Sequence, residues 1–324
     1  MNKEIEAICQ EWRKAGVPEE VITERARLIE TQSLACHPAW QLRERFEKIK
    51  DGRITVIPWP WGNMASLCPS LMPGTVTVVA GAPGATKSFM MLQCVNFWAT
   101  CEIPVAILAL EGSKDYYLNR LLAQIEKRPE LTDIAWVRDN PDEVDAAMDR
   151  HAGWLDQVGQ SICTIKLDSI TYIDVLEWVR ARARLKDRII IVDPVTAADP
   201  QGRQWEADRM MVNTSAKIAV DYGASIIIVS HPAKAVGHQP SLDAVAGGAA
   251  VTRHVDAVIW LSAIEPKKLT VTQPTGREDI ECNRVMYLLK VRDGRGQGKA
   301  IGFRFEGDSL LLAEQGVVIK EKKG

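Results

Sequence analysis

The sequence predicts an α/β fold: a mainly parallel central sheet covered by helices, extended at one edge by antiparallel C-terminal strands. Three observations predict it. Five runs are mainly apolar and β-type, Thr75–Ala80, Val105–Leu110, Ile162–Leu167, Ile189–Val192 and Ser225–Val229, the pattern of strands buried on both faces. Helical stretches lie between them, such as Lys87–Ala99, Asp115–Lys127, Ile173–Lys186 and Ala207–Tyr222, and parallel strands need such crossovers. After Val255 the β-type runs Ala257–Leu261, Val285–Val291, Ala300–Phe305 and Leu310–Leu312 follow one another without helices.

Ahead of this domain, taken as residues 53–324, residues 1–52 read as helices with narrow apolar stripes. Ile5, Ile8, Cys9 and Trp12 form one stripe, Ile22, Ala26 and Ile29 a second, and Leu42, Phe46 and Ile49 a third, with Pro18 and His37-Pro38 between them. Such a region is either a small bundle or an arm that docks on a neighbour.

A net charge of −2 and a pI of about 6.3 exclude a protein that coats nucleic acid by bulk charge, so any such contact must come from local loops. No apolar run approaches the roughly 18 residues that span a bilayer, and the N-terminal stretch lacks the apolar core of a signal peptide. Seven cysteines without a C-x-x-C pair and five scattered histidines suit a reducing compartment and give no zinc spacing. The expectation is a cytoplasmic protein without a structural metal and without membrane contact.

The chemistry starts at "VTVVAGAPGATKSFMML". A β-branched run ends at Gly81; Ala82, Pro83, Gly84, Ala85 and Thr86 form a tight turn; Lys87-Ser88 opens an apolar helix. Strand, glycine turn and helix N-terminus is the setting in which backbone N–H groups bind phosphate. Lys87 would reach the outer phosphates and Ser88 would place its hydroxyl on Mg²⁺. Thr86 departs from the G-x-x-x-x-G-K-[ST] pattern, which has glycine before the lysine. If the backbone there needs positive φ, a β-branched residue costs about 1–2 kcal/mol; if not, threonine fits and its hydroxyl can face the phosphates.

Further polar residues end apolar strands. In "RIIIVDP" Asp193 lies at the carboxyl edge, where open α/β sheets bind ligands and where a carboxylate can hold a Mg²⁺ shell. Glu111 in "VAILALEGSK" stands at a similar height and can deprotonate a water, or, with Ser113, belong to helix capping. In "IIIVSHPAK" Ser230 and His231 are adjacent on a strand, so they face opposite ways and cannot pair as nucleophile and base; the position suits a γ-phosphate sensor. In "LLKVRDGRGQG" Lys290 and Arg292 are two apart, so they share a strand face as a solvated pair or as cations for a transferring phosphoryl group. The Gly294, Gly296 and Gly298 spacing reads as a hairpin turn.

In this order, and with the Gly-rich "AGGAAVTRHVDAVIWL" before the K-x-R, the motifs resemble the RecA-like motor domain of DnaB-type hexameric replicative helicases, most of all the helicase halves of phage primase–helicases. The resemblance spans about residues 54–312. It implies a P-loop ATP hydrolase in which Lys87 and Ser88 bind ATP and Mg²⁺, Asp193 is the Walker B carboxylate, Glu111 the catalytic base and His231 the phosphate sensor. It implies that Lys290 and Arg292 supply an arginine finger to the neighbouring subunit's ATP in a homo-oligomeric, hexameric ring. It places single-stranded DNA on two loops, Asp199–Trp205 with Arg203 and Trp205, and Lys234–Ala246 with Lys234 and His238, the second closed by Gly247-Gly248-Ala249-Ala250. A primase, a polymerase or a loader are the partners it implies, in a host cytoplasm if the chain is phage-encoded. Two other functions share these motifs: a RecA-like recombination or strand-binding ATPase, and a regulatory ATPase of the same superfamily that binds no DNA.

Overall fold

Valine, isoleucine and alanine fill the central strands, and this composition decides the architecture: strands apolar on both sides must be covered on both sides. The computed structural model describes residues 3–34, 38–165, 169–232, 240–245, 248, 253–274 and 276–319. The chain divides into two units, Met1–Thr55 and Val56–Gly324.

The first unit holds α1 (Lys3–Lys14), α2 (Glu19–Leu34) and α3 (Pro38–Lys50). Ile5, Cys9, Ile22 and Ala26 form a buried cluster, with Trp12, Val17 and Ile29 packed against it. The first two stripes thus meet, although Ile8 stays outside at 37% exposure. The third stripe does not join them: Leu42, Phe46 and Ile49 are exposed, as is Trp40.

The second unit runs α4 (Gly62–Leu67), β1 (Thr75–Ala80), α5 (Lys87–Thr100), β2 (Val105–Ala109), α6 (Lys114–Glu126), α7 (Ile134–Asp139), α8 (Pro141–Gly159), β3 (Ile162–Cys163), α9 (Tyr172–Arg184), β4 (Ile189–Asp193), α10 (Gln204–Tyr222), β5 (Ser225–Ser230), β6 (Ala257–Gln273), β7 (Gly276–Val291), β8 (Ala300–Glu306) and β9 (Leu311–Val318). The sheet order is β3-β2-β4-β5-β1-β6-β7-β8-β9. Pairings from β3 through β6 are parallel and those from β6 onward antiparallel.

One sheet face packs Val79, Ile107, Ile191 and Ile227 against Met90, Met91, Val95, Tyr117 and Leu121 of α5 and α6. The other packs Val76, Val78, Ile190 and Ile228 against Val175, Val179, Met211 and Ile218 of α9 and α10. Helix α5 buries Met90, Met91, Leu92, Cys94, Val95 and Trp98, the all-round apolarity of a core helix. Three indoles lock the entry segment to this core. Trp98 Nε1 donates to Pro58 O at 2.7 Å, Trp61 Nε1 to Leu312 O at 2.8 Å and Trp59 Nε1 to Cys68 O at 3.1 Å. Each buried ring contributes about 1.5–3 kcal/mol, and the N–H bonds remove the cost of its polar edge.

The structure departs from the sequence expectations in three places. Of the strand expected over 162–167, Ile162 and Cys163 pair with β2, and among the described residues 164 and 165 are not in a strand. Strands β6 and β7 are 17 and 16 residues long, far beyond the apolar runs that mark them in the sequence. The far half of this hairpin carries Lys267, Lys268, Arg277, Glu278, Asp279 and Glu281, all exposed, so it has no apolar signature; β9 returns to pair with it at Val271↔Val318. Helices α7 and α8 occupy a stretch that the apolar pattern leaves unassigned. The three late glycines do form a turn: a Cβ on Gly294 or Gly296 would meet Leu67 O at 2.7 or 2.5 Å.

Candidate active site

The end of β1 sets the phosphate-type loop. Gly81 follows the last sheet residue, and a Cβ there would lie 2.3 Å from Leu261 O on β6, so only glycine allows the two strands to stay paired. Gly84 has φ +77 and Thr86 has φ 70, ψ 24. The backbone before Lys87 is therefore left-handed, and the β-branched residue carries the steric cost of that region. Thr86 O accepts from Met90 N at 3.0 Å, opening α5. The first-turn N–H groups that follow have no acceptor within the helix, as an anion site at a helix start requires.

Lys87 is buried, and its Nζ donates to Gly81 O at 2.7 Å and Ala82 O at 3.1 Å, with His231 Nδ1 at 3.4 Å. Burial lowers its pKa to about 8, against the pull of Asp193 and Glu111. Asp193, at the last position of β4, is buried as well and follows the opposite course: burial raises it to about 6, while hydrogen bonds from Ser88 and Tyr117 and the charge of Lys87 pull it down. Tyr117 Oη donates to Asp193 Oδ2 at 3.1 Å. A serine hydroxyl and a carboxylate brought together are hard oxygen donors of the kind Mg²⁺ takes beside substrate phosphates, so these residues fit that ion.

Glu111 lies just beyond β2, and Ser113 does cap the next helix, accepting from Tyr116 N at 3.2 Å. The Glu111 side chain stays half exposed, and His231 Nε2 is 3.2 Å from its Oε1. His231 thus bridges Glu111 and Lys87. Ser230 points elsewhere: it is buried, and its Oγ donates to His231 O at 3.0 Å. Pro83, Gly84, Thr86, Lys87, Ser88, Glu111, Asp193 and His231 line one cleft of about 330 Å³.

Lys290 and Arg292 are not in this cleft. Lys290 Nζ donates to Val255 O at 2.7 Å, and Arg292 Nη1 pairs with Asp256 Oδ1 at 2.8 Å. Asp256 Oδ2 in turn accepts from Val76 N, at the start of β1. Both cations therefore stand at the amino edge of the parallel strands, opposite the edge that carries Lys87.

Of the residues assigned to DNA, Arg203 and Trp205 lie at the start of α10. Both are exposed; Arg203 Nη1 is 3.8 Å from Glu206 Oε1, and the Arg209 guanidinium lies 5.4 Å from the Trp205 ring. Lys234, His238, Gly247, Ala249 and Ala250 lie outside the described residues.

Four residues that support these groups lie outside the candidates read from the sequence. Tyr117 orients Asp193 from within α6. Arg120, one turn later, lines the cleft with its guanidinium 3.6 Å from the Tyr116 ring and 4.6 Å from that of Phe89. Asp256 holds Arg292. Arg284 reaches Thr86 from β7, with Nε 3.3 Å from Oγ1. The Tyr-Tyr pair and the arginine after the Glu111 turn are readable as one helix face; the last two meet their partners only through the β6–β7 register.

These features define a class: an ATPase-type fold of the RecA kind, with a phosphate-type loop after β1, two strand-end carboxylates and antiparallel strands at one edge. The family model described as AAA domain matches residues 44–237, more than half of the chain, and the chain belongs to that family. Its fold is also that of an ATPase domain of known structure, with a TM-score of 0.67 over 85% of this chain and 97% of that one at 14% identity. A structure of a DnaB-like replicative helicase and its interactions with primase matches with a TM-score of 0.65 over 96% of this chain and 75% of that one, also at 14% identity. The fold expected from the sequence, that of DnaB-like helicases, is borne out. No curated protein matches the chain by sequence. No helix among the described residues is long and apolar enough to cross a membrane.

Proposed function

We propose that the chain is an ATP-driven motor that assembles into a ring, of about six copies by the family resemblance, and moves on single-stranded DNA in replication. The supporting observation is the separation of two halves of one hydrolytic apparatus: Lys87, Ser88, Glu111, Asp193 and His231 share a cleft, while Arg292 projects at the opposite sheet edge beside Asp256. A cation placed there can act only on the nucleotide of another copy, and a closed ring gives every site such a neighbour.

In this reading Lys87 exchanges its loop carbonyls for the outer phosphates of ATP. Ser88 and Asp193 would hold Mg²⁺, which would supply charge neutralisation at the phosphoryl oxygens. Glu111 takes the proton of the water that attacks the γ-phosphorus as ADP leaves. Arg292, with Lys290 beside it, stabilises the transferring group from the adjacent subunit. His231 touches both Glu111 and Lys87 and so registers loss of the γ-phosphate at the head of the segment carrying Lys234 and His238. Arg203 and Trp205 supply a cation and a stacking surface for a strand, and several such loops around a ring add their weak contacts. Residues 1–52 form the arm and residues 53–324 the motor, working in the cytoplasm with a primase, polymerase or loader.

Electron microscopy of the protein with an ATP analogue and single-stranded DNA tests this. Rings around the strand support it. Helical filaments would favour a recombination-type ATPase, and nucleotide-bound monomers indifferent to DNA a regulatory one.

A further inference from the structure

The threonine in the phosphate loop has a partner elsewhere in the chain. Thr86 sits at φ 70, where glycine would be free of strain and a β-branched residue is not. Its hydroxyl donates to Ala85 O and accepts from Arg284 Nε at 3.3 Å. Arg284 is itself fixed: Nη1 donates to Asn283 O at 2.8 Å and the guanidinium lies 5.3 Å from the Phe305 ring. Phe305 in turn packs against Phe89 of α5, ring centroids 5.5 Å apart. A half-buried cation on β7 is therefore braced between an aromatic ring and the residue that precedes Lys87.

We propose that Arg284 is a positioning residue for nucleotide binding that acts through Thr86, holding the left-handed turn which aims the loop amides and Lys87. Glycine in this position adopts the turn at no steric cost but brings no rigidity. Threonine adopts it at a cost, and the hydrogen bond to a charged donor offsets that cost while fixing the turn in one geometry. Thr86 and Arg284 are thus a matched pair that replaces the usual glycine, and neither is useful without the other. The proposal rests on the nucleotide reading of the cleft.

The test is a double-mutant cycle with Arg284→Ala and Thr86→Gly, read by ADP titration and by hydrogen exchange of the segment 82–89 without nucleotide. Arg284→Ala in the Thr86 background should weaken ADP about tenfold, the size of one hydrogen bond to a charged group, and speed exchange across the loop. In the Thr86→Gly background the same substitution should change neither, because the hydroxyl it acts through is gone. Equal losses in both backgrounds, or no loss in the Thr86 background, would overturn the proposal. Lys87→Ala distinguishes the underlying reading: if it binds ADP as the parent does, the nucleotide site is misassigned, and the exchange arm alone then decides whether Arg284 governs the loop.

Discussion

Lys87 and Arg292 stand at opposite ends of β1. Lys87 bonds to Gly81 O just past the carboxyl end of the strand, and Arg292 pairs with Asp256, which caps Val76 N at the other end. Five residues of extended chain separate the two, roughly 16 Å at strand rise. A guanidinium cannot cross that distance through a buried sheet. The same geometry that removes Arg292 from its own site presents it outward, at 52% side-chain exposure.

The two strand-end carboxylates should separate by role. Glu111→Gln keeps the shape of an exposed side chain and removes the base, so ATP affinity should hold while single-turnover hydrolysis falls about 10²–10⁴-fold. Asp193→Asn should instead raise the Mg²⁺ concentration needed for half-maximal binding of the nucleotide. Magnesium titrations in which Glu111→Gln shifts metal affinity and Asp193→Asn does not would reverse the assignment.

Asp193 also makes the site a liability for stability. Burial moves it from 3.8 to about 6, so between roughly pH 4 and 6 the folded protein holds a proton that the unfolded chain has released. That contribution is complete below pH 4 and is lost as the pH rises through 6, a difference on the order of 2–3 kcal/mol. Without nucleotide or Mg²⁺, Asp193→Asn should therefore melt above the parent at pH 7.5, with the gap closing towards pH 4.5. Thermal unfolding at the two pH values checks it; a gap that does not depend on pH contradicts burial of the Asp193 charge as the cause.

Gly81 is required by contact, not by its φ. With Leu261 O 2.3 Å from the place of a Cβ, Gly81→Ala must spread β1 from β6 and should cost about 1–3 kcal/mol together with most ADP binding. Gly62→Ala, where a Cβ meets nothing within 4 Å, is the control and should leave both unchanged. Parallel melting curves and ADP titrations decide.

The buried strands were legible because their runs are apolar on both faces, and the ends of those runs carried the candidate site: Glu111 and Asp193 each follow directly on such a run, and His231 follows one residue later, after Ser230. Thr86 was legible as a departure, yet its φ was not, since sequence alone allowed both conformations. The far half of the β6–β7 hairpin was hidden by its exposed charges, and with it the register that brings Arg284 to Thr86. Tyr117 was hidden for a different reason: a tyrosine on an amphipathic helix reads as packing, and only the fold shows its hydroxyl on Asp193. The opposite placement of Lys290 and Arg292 followed from strand direction, which the hairpin's antiparallel return determines.

The proposed motor stands or falls on whether each nucleotide site is completed by Arg292 of a neighbouring copy. Arg292→Ala should bind ATP nearly as the parent does and lose on the order of 10³-fold or more in hydrolysis, while Lys87→Ala fails at its own loop. Mixing the two variants creates interfaces in which an intact Arg292 faces an intact Lys87. Single-turnover hydrolysis by the mixture, after subunit exchange, is the direct measurement, because it counts competent interfaces without requiring a whole ring to step. Completion in trans predicts partial recovery of activity that neither variant has alone. Assembled, exchanged mixtures that remain as inactive as their components would contradict it.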